Sequence, residues 1–126
     1  MLTRIMLIGL GGAVGSVFRY LLSTSVYKFL KPSFPYGTLT VNACGCFLIG
    51  FLFVLLLERF DGQADSLRSL LIIGFLGGFT TFSSFSLETL NLIESGELLS
   101  GLLNVMVSVF LCLSLTWVGV VLGRLV

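Results

Sequence analysis

Apolar residues fall into four long blocks, and short polar stretches such as Asp61-Gly62 separate them. The blocks cover about residues 5–22, 37–57, 70–93 and 98–122, and each reaches the roughly 18 to 20 residues that a helix needs to cross a bilayer. A cleaved signal peptide is the alternative for the first block, but that block lacks a small-residue cleavage site and carries Arg19 near its end. The pattern predicts an all-α membrane protein whose residues 1–126 form a single four-helix transmembrane domain.

Composition agrees with this fold class, because only 10% of the residues are charged and 56% are hydrophobic, whereas soluble domains carry about 25% charged residues. The net charge is +1 with scattered basic residues, which gives no support for nucleic-acid binding. The chain contains no histidine, and Cys44, Cys46 and Cys112 lie within apolar blocks without metal-ligand spacing. We interpret the cysteines as packing residues, and no nucleophile–base pair indicates an enzyme.

The distribution of basic residues gives little preference for one orientation in the membrane. With four crossings, one side of the bilayer holds four basic residues and the other holds two, namely Arg4, Arg59, Arg68 and Arg124 against Lys28 and Lys31. This is a weak positive-inside bias. It permits either a single topology or insertion in both orientations followed by antiparallel pairing. Four helices are too few to surround an ion path, so we expect the chain to work as an oligomer.

The third block contains an unusual stretch at 74–85, with the sequence GFLGGFTTFSSF. The pair Gly77-Gly78 lowers the cost of leaving helical geometry, and the hydroxyls of the following threonines and serines can bond to freed backbone groups. One interpretation is a helix broken near its centre, of the kind that holds ion sites in transporters. The other is an unbroken helix that packs closely through its glycines.

Three polar residues inside the blocks are candidates for function. The amide of Asn42 can donate two hydrogen bonds without carrying charge, which suits an anion, or it can join two helices. Arg19 either lines an aqueous vestibule or extends to the lipid headgroups. Glu88 is either a helix-end charge or an interior partner.

Small polar residues also recur at four-residue spacing in the last block, which places them along one helix face: Asn104, Ser108, Cys112 and Thr116. They form either a polar track or hydroxyls bonded to their own helix. In the third block Phe79, Phe82 and Phe85 recur every three residues. An aromatic ring has a positive edge, so such rings can line an anion path.

Three stretches together resemble the Fluc family of fluoride channels, also called CrcB-like: GGAVGSVFRY at 11–20, GTLTVNACGCFLIG at 37–50 and GFLGGFTTFSSFS at 74–86. They lie in the first three blocks in order, and the resemblance covers essentially the whole chain. The fourth block matches only in its polar stripe. Asn104 and Cys112 stand where the family can have an aromatic hydroxyl and a small hydroxyl.

The resemblance implies an antiparallel, dual-topology homodimer in the inner membrane of a prokaryote, with no other protein partner. It implies two pores that release fluoride passively and so protect the cell from fluoride that enters as neutral HF. The fluoride pathway would include Asn42, Phe82, Phe85, Ser108, Thr81, Ser84 and Arg19. The backbone carbonyls of Gly77 and Thr80 would hold a structural sodium ion at the dimer centre.

Two other classes compete with this interpretation. A coupled exporter of the small multidrug-resistance type is also a short four-helix chain, but it needs an intramembrane carboxylate, and here Glu88 lies late in the third block. A non-transporting membrane subunit would use the polar residues only for assembly, and it predicts no ion flux in purified vesicles.

Overall fold

The computed structural model describes residues 1–60 and 64–126, so the turn at Asp61-Gly62 lies outside the described residues. The described chain is helical in four membrane-length stretches. Helix α1 is Leu2–Val26, and α2 is Tyr36–Phe53 with a π-helical continuation over Val54–Arg59. The third stretch contains two helices, α3 and α4, and the fourth stretch is the single helix α5. Here α3 consists of Asp65–Leu67, the π-helical Arg68–Leu76 and Gly77–Phe79, α4 is Phe82–Glu94, and α5 is Leu98–Leu125.

The third stretch is broken between α3 and α4, as one of the two interpretations predicts. Thr80 has φ −78° and ψ 155°, and Thr81 has φ −150° and ψ 108°, so both residues are extended. The glycine pair itself stays helical, since Gly77 has φ −62° and ψ −38°. The backbone leaves the helix at the threonines because the side chains of Asn42 and Thr81 replace the helical hydrogen bonds there.

Glycines bring α1 into backbone contact with α3. A methyl group built on Gly74 would lie 2.7 Å from the carbonyl oxygen of Ile8, and one on Gly78 would lie 3.0 Å from the Cα of Gly12. Close packing and the break are therefore both present, at neighbouring residues of the same stretch. A side chain at either glycine would force the two helices apart.

Helices α2 and α5 form the second close pair. A methyl group on Gly50 would lie 3.0 Å from the carbonyl carbon of Thr116, and one on Gly123 would lie 2.9 Å from the Cβ of Val54. Residues with higher numbers on α2 contact residues with higher numbers on α5, so the two helices run parallel. This pairing fixes which faces of the two helices meet.

A small buried apolar cluster lies where α2 meets α3 and consists of Val41, Leu76 and Phe79. Val54, in the π-helical continuation of α2, is buried as well. Large apolar side chains remain exposed over the rest of the surface, for example Phe110, Leu113 and Trp117 on α5 at 64%, 67% and 68% exposure. Such a surface requires lipid or further protein around it, and together with the four apolar helices it makes the chain a multi-pass integral membrane protein.

Candidate functional site

A groove of about 460 Å³ lies beside the helix break, and α2, α3, α4 and α5 all contribute to its wall. Seven of the nine residues that the family resemblance assigns to the fluoride pathway or the sodium site line it: Asn42, Gly77, Thr80, Thr81, Phe82, Phe85 and Ser108. None of the lining residues carries a formal charge. The groove therefore combines hydrogen-bonding groups with apolar walls and uses no charged side chain.

Asn42 joins α2 to the break through both ends of its amide. Its Nδ2 donates to the carbonyl oxygen of Thr81 at 3.0 Å, and the backbone N–H of Thr81 donates to its Oδ1 at 2.7 Å. Only this orientation of the amide satisfies both backbone groups, because the nitrogen must donate and the oxygen must accept. Asn42 thus connects two helices, as one alternative predicts, and its second Nδ2–H is left over from this pair.

The break releases two backbone carbonyl groups. In a continuous helix the N–H of Thr81 would donate to the carbonyl of Gly77, and the N–H of Ser84 would donate to that of Thr80. These N–H groups instead donate to Asn42 Oδ1 and to Thr81 Oγ1, the latter at 3.2 Å. The carbonyls of Gly77 and Thr80 therefore lose their helical partners at the wall of the groove.

Hydroxyl groups cluster at the first turn of α4. The Oγ1 of Thr81 caps this helix, lies 3.3 Å from the Oγ of Ser83, and donates to the Oγ of Ser84 at 3.1 Å. Such capping stabilises a helix start by about 1 kcal/mol. Ser84 belongs to this cluster but lies outside the residues that line the groove.

The rings of Phe82 and Phe85 lie next to each other beside this cluster. Their centroids are 5.4 Å apart with an interplanar angle of 45°. Phe82 is 78% exposed in the single chain, whereas Phe85 is half-buried. The Phe82 ring therefore projects away from its own chain.

The polar stripe of α5 divides into two parts. Ser108 donates to Asn104 Oδ1 at 3.4 Å, and Asn104 Nδ2 donates to Thr89 Oγ1 at 2.9 Å. Thr89 in turn donates to the carbonyl of Phe85 at 2.7 Å, so a buried chain of hydrogen bonds connects the groove to α4. Thr116 bonds to the carbonyl of Cys112 in its own helix.

Two charged residues that the sequence singles out lie apart from the groove lining. Arg19 is half-buried on α1. Glu88 is an interior partner, because its Oε1 accepts a hydrogen bond of 2.8 Å from the hydroxyl of Thr38, which is buried. Thr38 and Thr89 were not identified from the sequence. The sequence signal for Thr89 was its position four residues after Phe85, which places both residues on one face of α4.

Comparison with known proteins identifies the family. The family model described as CrcB-like protein, Camphor Resistance (CrcB), matches residues 6–120. A protein of Coxiella burnetii (strain Dugway 5J108-111) is 52% identical over 121 residues, which cover 96% of this chain and 98% of the relative. Its name is fluoride-specific ion channel FluC.

Two further relatives carry the same name. The protein of Geobacter sulfurreducens is 51% identical over 123 residues, covering 98% of each chain, and that of Magnetococcus marinus is 50% identical over 119 residues, covering 94% of this chain and 96% of the relative. These names describe ion channels and not enzymes, so the expected family class is confirmed. The match over nearly the whole length means that the chain belongs to the CrcB-like family of prokaryotic multi-pass membrane proteins.

Proposed function

We propose that this chain is a fluoride channel that lets fluoride leave the cytoplasm passively, and that two antiparallel copies form two pathways around a central sodium ion. The observation that carries the proposal is the uncharged groove, in which hydrogen-bond donors and aromatic rings face a common space at a helix break. The names of the relatives support fluoride as the ion. Neutral HF that enters a less acidic cytoplasm would release fluoride there, and the trapped anion would need such an exit.

The groove offers fluoride partial positive charges without a fixed cation. Asn42 has one N–H left after its pairing with Thr81, and the hydroxyl of Ser108 makes only a long bond of 3.4 Å to Asn104, so it can turn toward an anion. The ring edges of Phe82 and Phe85 carry a positive potential. Donors of this kind replace water around a small anion but release it again, as conduction requires.

Three further residues assist the passage of the ion in this proposal: Thr81, Ser84 and Arg19. The Thr81 hydroxyl has Ser84 as a partner, so this pair offers a polar surface beside the rings. Arg19 lies outside the groove lining, and we assign it to the vestibule through which an anion approaches. A cation there would raise the local fluoride concentration without binding the ion tightly.

A second copy completes the pathway in this proposal. Phe82 is 78% exposed and projects from its own chain, and the groove has walls from one chain only. A partner copy would cover the ring and supply the opposite wall. The four-to-two division of basic residues across the membrane allows both orientations, which an antiparallel pair requires.

The residues at the break fit a sodium ion shared by two copies. Carbonyl oxygens are hard ligands that suit a hard cation, and each chain offers those of Gly77 and Thr80. A side chain built on Gly77 would meet nothing of its own chain within 4 Å, so space remains beside these groups. Two copies would supply four oxygens, and the ion would compensate for their lost helical partners.

The direct test is fluoride efflux from liposomes that contain the purified protein. We expect rapid fluoride release and no chloride release above that of protein-free vesicles. Equal release of both anions, or no release of either from a monodisperse protein, would refute the proposed function. The second result would favour the alternative of a non-transporting subunit.

The role of the break in the assembly is tested by Gly77→Val with Gly9→Val as its matched control. An added Cβ at either glycine meets nothing within 4 Å among the described residues of a single chain, so the first side-chain atom is accommodated at both positions. If two copies and an ion meet at Gly77, only Gly77→Val weakens the dimer, read by cross-linking. Fluoride efflux is measured beside it, because Gly77 also lines the groove and a side chain there narrows the groove itself. Equal behaviour of the two variants would remove the shared ion site from the proposal.

A further inference from the structure

Two cysteines face each other within the groove because of the register between α2 and α5. The helices run parallel, and Gly50 lies against Thr116. Cys46 lies four residues, about one helical turn, before Gly50 on α2, and Cys112 lies four residues before Thr116 on α5. Both cysteines line the groove, and the register places them at the same level on the facing helices.

The same register places the thiol pair next to the polar part of the groove. A further turn back along the two helices lie Asn42 and Ser108, which also line it. The two thiols are free and partly buried, whereas the remaining cysteine, Cys44, is exposed and lies outside the groove lining.

We propose that Cys46 and Cys112 form a two-thiol site for one soft monovalent cation, such as Ag⁺ or Cu⁺. Sulfur is the ligand that these ions prefer. Zinc usually takes four protein ligands in a structural site, and the described residues contain no group of three histidines, cysteines or carboxylates that could complete one. The geometry therefore favours an ion that is satisfied by two ligands.

The binding step leaves the site without net charge. Two sulfur–metal bonds form, one S–H bond breaks, and its proton passes to water, so the cation is held by one thiolate and one neutral thiol. No electron is transferred, and the ion keeps its oxidation state. A neutral complex suits the uncharged lining of the groove, where a buried net charge would be costly.

A bound ion would stand one helical turn from Asn42 and Ser108 and narrow the groove. We expect soft cations to inhibit fluoride flux through this chain. This consequence rests on the proposed function, whereas the binding of the ion does not.

Binding is tested with purified, reduced protein in the Cys44→Ser background and with Ag⁺ as the probe. We expect two free thiols per chain and one tightly held silver ion, measured by competition with a soluble thiol. Cys46→Ser and Cys112→Ser are each expected to weaken binding by at least about 100-fold, because the second ligand of a chelating pair acts at high effective concentration. Cys46→Ala and Cys112→Ala replace any serine variant that is not monodisperse.

Several results would overturn the site. If Cys46→Ser and Cys112→Ser bind silver with the same affinity as the Cys44→Ser background, the two thiols bind silver separately and do not form one site. The absence of free thiols in the freshly prepared, non-reduced protein, with silver unable to bind after reduction, would show a disulfide-forming pair and no metal site.

The flux arm uses chloride-free vesicles, because silver chloride precipitates. Addition of Ag⁺ is expected to stop fluoride efflux in the Cys44→Ser protein, and each further single substitution is expected to restore flux in the presence of silver. Silver that binds stoichiometrically without reducing flux would refute the obstruction. Absence of fluoride flux before silver is added would instead refute the proposed function. The silver-binding measurement would still decide whether the two-thiol site exists, because it does not depend on flux.

Discussion

Asn42 offers the sharpest test of how the helix break is held, because one side chain satisfies both backbone groups of Thr81. Asn42→Ala leaves the Thr81 N–H unpaired and removes the second hydrogen bond of the Thr81 carbonyl, which as the N-cap carbonyl of α4 keeps its bond within that helix. The neighbouring Thr40→Ala is the matched control, since the Thr40 hydroxyl bonds only to the carbonyl of Tyr36 in its own helix. The control removes a hydroxyl from α2 without touching the break.

The expected cost follows from the two hydrogen bonds. An unpaired buried backbone group costs roughly 1–3 kcal/mol, and the Thr81 N–H is the one group left unpaired. Hydrogen bonds between membrane helices average about 0.6 and reach about 1.7 kcal/mol each, which gives about 1–3 kcal/mol. Both estimates give about 1–3 kcal/mol, and this is the loss in unfolding free energy that we expect for Asn42→Ala.

Asn42→Asp tests conduction directly. One carboxylate oxygen can still accept the N–H of Thr81, but the other replaces the Nδ2 that donates to the Thr81 carbonyl, and the change adds a negative charge to an uncharged groove. Repulsion between two unit charges 4 Å apart is about 4 kcal/mol at an effective dielectric constant of 20. Fluoride flux is therefore expected to fall by more than about 100-fold.

Stability is measured by reversible unfolding in detergent, and flux by fluoride efflux from liposomes. If the unfolding free energy of Asn42→Ala lies within about 0.5 kcal/mol of the values for the parent and for Thr40→Ala, then Asn42 does not hold the break. If Asn42→Asp conducts like the parent, then fluoride does not pass this amide, and the groove is not the pathway.

Three further predictions follow from the same contacts. Phe82→Ile and Phe85→Ile are each expected to reduce fluoride flux while cross-linking still detects the dimer; unchanged flux in both would remove the rings from the mechanism. A cysteine tag at the C-terminus is expected to label from both sides of the membrane in the parent, and one-sided labelling would contradict the antiparallel pair. Asn104→Leu breaks the buried chain between Ser108 and Thr89 and is expected to cost about 1–3 kcal/mol in unfolding free energy, with Ser114→Ala on an exposed part of α5 as control; equal stability would show that the chain is not structural.

The four membrane-length helices could be predicted from the sequence because the length of an apolar run is a local property that the bilayer thickness sets. The break in the third stretch could be suspected on similar grounds, since its glycines and hydroxyls are adjacent in the chain. The exact residues at which the backbone turns could not, although the carbonyls that the resemblance named, those of Gly77 and Thr80, are the ones that lose their helical partners. The sequence pointed to Gly77-Gly78 as the weak point, whereas the backbone leaves the helix at Thr80 and Thr81.

The difference has a physical reason that lies 39 residues away in the chain. A glycine lowers the cost of leaving a helix, but Gly74 and Gly78 are held helical by their contact with α1. The extended residues are those whose N–H and carbonyl find a better partner in Asn42. Which hydrogen bond replaces a helical one depends on the neighbouring helix, and no local pattern contains that information.

For the cysteines and the polar stripe, the sequence likewise decides which helix face they share, and the tertiary structure decides which residues they contact. Four-residue spacing places Ser108, Cys112 and Thr116 on one face of α5, and this much is a consequence of helix geometry alone. Only the parallel packing of α5 on α2 decides that Cys112 lies at the level of Cys46 on the groove wall, and only the approach of α4 turns Asn104 toward Thr89. Spacing along a helix selects a face, whereas the chemistry of that face depends on which residues of other helices are brought against it.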